Sequence, residues 1–85
     1  MKIIEKPDGV SFLPGEYNEI LVELDSKGWT VTARGLRRFT ESRDEAQAML
    51  ETELTGLLNE EGERRLVDTA LDRLVSRQRR AGQCL

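Results

Sequence analysis

The sequence predicts an α+β domain: a small antiparallel β-sheet of about three to four strands in the N-terminal half, with two C-terminal α-helices packed on one face. Three observations carry that expectation. Ile20 to Leu24 and Trp29 to Ala33 alternate apolar and polar residues on either side of the turn "DSKG". "SRDE" at 42–45 has the spacing of a helix-opening capping box. Beyond it, leucine, valine and alanine recur at steps of three and four, the period of a helix face.

In chain order, Lys2 to Lys6 and Val10 to Phe12 read as short apolar strands parted by "KPDG", and "LPGE" at 13–16 is a second turn. Ile20, Val22 and Leu24 lie on one side of the next strand, with Leu21 and Glu23 on the other. "DSKG" is a hairpin loop in which Gly28 is free to take positive φ. Trp29, Val31 and Ala33 then continue the apolar side, while Thr30, Thr32 and Arg34 point away. Leu24 and Trp29 face each other across the loop, so both strands agree on where the core is. Gly35 interrupts the alternation. A bulge or strand end there returns Phe39 to the core side and leaves Arg37 outside.

The first helix opens with the Ser42 hydroxyl accepting from the Glu45 N–H and Glu45 reaching back to the Ser42 N–H. Asp44 and Glu45 suit its positive first turn. Ala46, Met49, Leu50, Leu54, Leu57 and Leu58 form its stripe; Gly56 weakens its end, and "NEEG" at 59–62 breaks the pattern. A second helix runs from about Glu63 to Arg80. Leu66, Val67, Ala70, Leu71, Leu74 and Val75 form a stripe wider than the ~100° that docking on one surface needs. Terminal arginines and Gly82 suit its C-terminal end. The expected organisation is a single domain over residues 1–85, with the sheet in 1–40 and the helices in 42–81.

Composition narrows the chemistry. The chain has no histidine and one cysteine, which removes the commonest general base, the commonest metal ligand and the catalytic triads that need either residue. Sixteen carboxylates place some pair at a catalytic distance in any fold, so pairs say nothing. "NEEGE" lacks the alternating oxygen ligands of a calcium loop, and no phosphate-binding or dinucleotide glycine pattern occurs. Ser26-Lys27 sits in a tight turn exposed to water, whereas a lysine that activates a serine must be desolvated. Cys84 has only Arg79 and Arg80 nearby in sequence to lower its pKa. The expectation is a protein without catalytic, cofactor-binding or metal-ligating residues, and not an enzyme.

No stretch approaches the ~20 apolar residues of a membrane span. "MKIIEKPDG" has no apolar core of a secretory signal, and a lone cysteine forms no internal disulfide, so a cytoplasmic location is expected. A chain of 85 residues buries only about 60–65 % of its unfolded surface, which makes a dimer or a partner a reasonable expectation.

The charges are segregated. Residues 1–40 are neutral, 41–63 carry −7 and 64–85 carry +4, for a net charge of −3. The simplest expectation is that each helix obeys its dipole and that the acidic helix faces the basic one. Around the strand-to-helix seam, a face of mixed polarity carries Leu21, Glu23, Thr30, Thr32, Arg34 and Leu36, with Arg37 and Arg38 beside it. Mixed polarity is the character of a non-obligate protein interface. These eight residues are the expected protein-binding set, and a larger protein is the expected partner. A homodimer through the second helix follows from its wide stripe, which leaves Leu66 or Val75 over.

The string "GWTVTARGLRRFTESRDEAQAML", in which Phe39-Thr40 precede Glu45-Ala46, resembles the strand–strand–helix run of the AP2-like arm-binding domains of phage integrases. That resemblance implies a sheet lying on DNA, with Thr30, Thr32 and Arg34 outward and Arg37, Arg38 and Arg43 at its edge. Glu19, Glu23 and the acidic helix repel phosphates, which puts nucleic acid behind protein as the expected partner. In size and element order the chain is also similar to small phage-encoded anti-CRISPR proteins. This implies an inhibitor or accessory protein of a phage or mobile element that covers a surface of a larger protein.

Overall fold

The structure is a computed structural model that describes residues 2–15, 18–54 and 61–83. Strands β1 (Lys2–Glu5), β2 (Gly9–Leu13), β3 (Ile20–Asp25), β4 (Gly28–Ala33) and β5 (Leu36–Thr40) precede helices α1 (Arg43–Glu53) and α2 (Glu61–Gln83). Each strand pairs antiparallel with the next, so the sheet runs β1-β2-β3-β4-β5 and ends on β1 and β5. The α+β class stands as expected. The sheet has five strands, not three to four.

The β3–β4 hairpin is closed by its own first residue. Asp25 pairs with Gly28, and Asp25 Oδ1 accepts from the N–H groups of Lys27 (2.8 Å) and Gly28 (3.1 Å), a side-chain turn that fixes the loop. Gly28 has φ 144°, and a Cβ there would stand 2.8 Å from the Thr40 carbonyl oxygen. The register that follows sets Leu24 against Trp29 and Val22 against Val31, as the alternation requires. Val10, Phe12, Ile20, Val22, Trp29, Val31 and Ala33 are buried together on one side of the sheet. Ala46, Leu50 and Leu54 of α1 and Val67, Ala70, Leu71 and Leu74 of α2 close over them. Each large side chain so buried stabilises the fold by roughly 1.5–3 kcal/mol.

The fifth strand corrects the reading of Gly35. Instead of a bulge, Arg34 (φ 53°) and Gly35 (φ 78°) form a two-residue turn, and Leu36 pairs with Ala33. The turn preserves parity. Leu36, Arg38 and Thr40 oppose Ala33, Val31 and Trp29 on the helix side, while Arg37 and Phe39 oppose Thr32 and Thr30 on the outward side. Phe39 therefore does not rejoin the core and is 56 % exposed. Arg37 is outside, as expected.

Thr40 is the last inward residue of β5 and is buried. It carries half of the predicted capping box. The Ser42 hydroxyl accepts from the Glu45 N–H (3.4 Å), but the return contact passes through Thr40. The Ser42 N–H donates to Thr40 Oγ1 (3.1 Å), whose own proton goes to the Glu45 carboxylate (2.7 Å). A cap of this kind contributes about 1 kcal/mol.

Leu57, Leu58, Gly56 and residues 59–60 of the predicted break lie outside the described residues, as does Cys84. The second helix starts at Glu61, ahead of the expected Glu63, and runs past Gly82 to Gln83, so Gly82 does not end it. One glycine in a helix costs only about 1 kcal/mol. Of its predicted stripe, four residues are buried, Val75 packs at the rim of the core, and Leu66 remains 56 % exposed.

Arg43 ties the helices together by pairing with Asp68 (2.9 Å) and Asp72. It is the one arginine of the acidic segment, reaching two aspartates of the basic one. Glu5 of β1 accepts from Arg73 and Arg77 of α2, both at 3.2 Å. These pairs are partly solvated and each is worth no more than about 1 kcal/mol. No helix among the described residues is long and apolar enough to cross a membrane.

The two turn glycines separate backbone strain from steric overlap. At Gly35 an added Cβ meets nothing within 4 Å, so Gly35→Ala costs only the left-handed conformation, about 1 kcal/mol. Gly28→Ala adds a collision with the Thr40 carbonyl and the Phe39 ring, and is expected to cost more than about 2 kcal/mol in urea denaturation. Equal losses at the two positions would contradict this packing of β5 on the β3–β4 loop.

Candidate functional site

Both helices pack on the Trp29 side, and no described element covers the other face of the sheet. Two rows of side chains cross it in register. One runs Ile4, Ser11, Leu21, Thr32, Arg37; the other runs Glu23, Thr30, Phe39. Five of the eight expected binding residues, Leu21, Glu23, Thr30, Thr32 and Arg37, thus share one surface. Ser11 is only 1 % exposed although it lies on this face, flanked by Ile4 and Leu21. Its hydroxyl donates to Glu19 Oε1 at 3.2 Å.

The other three lie elsewhere. Arg34 stands in the β4–β5 turn with Nε 3.5 Å from the Glu53 carboxylate of α1. Leu36 and Arg38 face the helix side, where with Val31, Ala33, Met49 and Glu53 they line a cleft of about 130 Å³ between β5 and α1. The predicted face is therefore two surfaces that meet along β5. Reading Arg34 as a strand residue instead of a turn residue caused the merger.

β5 carries most of what is exposed. Leu36 is 61 % exposed and Phe39 56 %, and only Thr40 of its five residues is buried. Phe39 and Ile4, which is 38 % exposed, are outward apolar residues absent from the expected set. A two-residue turn after Ala33 is the signal that would have placed Phe39 beside Thr30.

Charge on the outward face leans slightly acidic, with Lys2 and Arg37 against Glu19, Glu23 and Asp25. The arginines expected to line a nucleic-acid surface diverge. Arg37 faces outward, Arg38 faces the helix side, Arg34 sits at the turn, and Arg43 is engaged with Asp68 and Asp72. Phosphate tracking needs such groups on one surface. Among the described residues, no three or more potential ligands are grouped to hold a metal ion. Ser26 and Lys27 are exposed at the tip of the β3–β4 hairpin.

Compared with models of known families, with curated proteins and with solved structures, the chain matches none.

One group on this face lacks a partner. Thr32 Oγ1 is buried and makes no hydrogen bond. Thr32→Val keeps the branched shape and removes the unpaired oxygen, so it is expected to be neutral or to stabilise by up to about 1 kcal/mol in urea denaturation. A loss of more than about 1 kcal/mol would show that the hydroxyl is satisfied after all.

Proposed function

We propose that this chain is a small non-enzymatic protein-binding module that covers part of a larger protein with the outward face of its sheet. The exposure of Phe39 on that face is the observation that carries the reading. An aromatic ring costs little conformational entropy to immobilise, and on a strand it is presented rigidly. Around it, Thr30, Thr32, Leu21, Glu23 and Arg37 supply the mixed polarity of a non-obligate interface. The slight acidic excess of that face and the divergent arginines favour a protein over a nucleic acid. A dimer through α2 has only Leu66 of the predicted stripe to rest on, so α2 is left out of the proposed surface.

The reading is tested with the tagged chain as bait in an extract of its native host, followed by titration of the captured protein in purified form. Binding is expected to be saturable and to be lost in the double variant Leu21→Ala, Thr30→Lys. These positions face away from the helices, so the melting temperature should move by no more than about 4–8 °C. Unchanged affinity in that variant would remove the outward face from the function. Saturable binding to a labelled DNA duplex, falling steeply with salt, would replace the protein reading with the nucleic-acid one.

A further inference from the structure

The groove between β1 and α2 gathers arginines. Arg73, Arg77 and Arg80 follow one another at steps of four and three along α2, so they share one side of the helix with the hydroxyls of Thr69 and Ser76. Together with Glu5 of β1 and Asp72 they line an open groove of about 440 Å³. Both carboxylates are already engaged. Asp72 pairs with Arg43 of α1, and Glu5 divides its two oxygens between Arg73 and Arg77. Arg80 is exposed and makes no ion pair with a described residue.

Arg77 supplies a second, independent observation. Its Nη1 donates to Glu5, but its Nε and Nη2 are buried and make no hydrogen bond. These two nitrogens form the side-on fork of the guanidinium, the edge that grips two oxygens of one anion at once. A buried donor is rarely left without an acceptor, and leaving a charged one so is costly.

We propose that this groove binds a phosphate monoester in its dianionic form. Arg77 turns its free fork toward the groove it already lines and holds two of the phosphate oxygens. Arg80 reaches the third, and Thr69 and Ser76 offer hydroxyl donors. With Asp72 held by Arg43, three guanidiniums share the one remaining carboxylate, an excess that suits a dianion better than a singly charged carboxylate. The planar fork also matches phosphate geometry. Nucleic-acid phosphates are singly charged diesters that follow one another along a strand, whereas this groove is bounded by Glu5 and Asp72, which would repel the neighbours on each side. The site lies on the helix side at the β1 edge, away from the outward face, so this inference and the proposed protein binding stand or fall separately.

Titration of the full chain with phosphoserine blocked at both ends, followed by NMR at the arginine Nε–H resonances, tests the site. Saturable shifts are expected at Arg73, Arg77 and Arg80, and not at Arg37 and Arg38 at the far edge of the sheet. Affinity is expected to rise between about pH 5 and 7, because the second phosphate proton leaves near a pKa of about 6. Sulfate, a dianion throughout that range, should show no such rise. Arg77→Lys keeps the charge and loses the fork, and is expected to weaken binding about tenfold. Arg80→Gln, at an exposed position, is expected to weaken it as well and keeps the test decisive if Arg77→Lys loosens α2. A second arm uses inorganic phosphate. Equal affinity supports the site with a free phosphate as ligand, and tighter binding of phosphoserine supports it with a modified protein side chain. An absence of saturable shifts, shifts as large at Arg37 and Arg38, or unchanged affinity in both variants would overturn the proposal. Tighter binding of a DNA duplex through the same three arginines would overturn it in favour of nucleic acid.

Discussion

The parity of β4 is the constraint on which the other features depend. A two-residue turn on each side of that strand, Ser26-Lys27 before it and Arg34-Gly35 after it, locks its register against both neighbours. Trp29, Val31 and Ala33 consequently face the helices, and Thr30 and Thr32 face away. A slip of one residue would exchange the two sets and replace an indole with threonines beneath α1. The buried apolar residues among those described form one core, with no second to absorb such a change.

From β4 the consequences run outward to the surface. Thr40, opposite Trp29, is the inward residue nearest the helix start, and its hydroxyl joins the sheet to the first turn of α1. Arg43, in that same turn, reaches across to α2. The end of β5 is thus held by both the core and the helix cap. Of its earlier residues, Leu36 and Arg38 extend past the cover that α1 provides and Arg37 and Phe39 face away from the helices, so all four are exposed. An extended edge strand that is fixed at one end and uncovered along its length presents side chains with little loss of entropy on binding. That combination is what places β5 at the centre of the proposed binding surface.

Local signals account for what the sequence made legible. Alternation on both sides of "DSKG" placed β3, β4 and Trp29 correctly, and "SRDE" placed the start of α1. β5 was missed because Arg-Gly is not among the residue pairs that usually mark a turn with positive φ at both central positions. The misplaced Phe39 follows from that omission. The relay through Thr40 was also hidden, since it needs β5 to exist and to end beside Ser42. Leu36 and Arg38 illustrate a different limit. Their side of the sheet follows from parity, but their exposure depends on how far α1 reaches over β5, which no local pattern encodes.

Trp29 is the one tryptophan of the chain, so its fluorescence reports directly on the central claim. At 4 % exposure the indole should emit well to the blue of free tryptophan and resist quenching by acrylamide until the protein unfolds. Emission like that of the free amino acid, with full quenching under native conditions, would mean that β4 faces the other way and that the surfaces described above are interchanged.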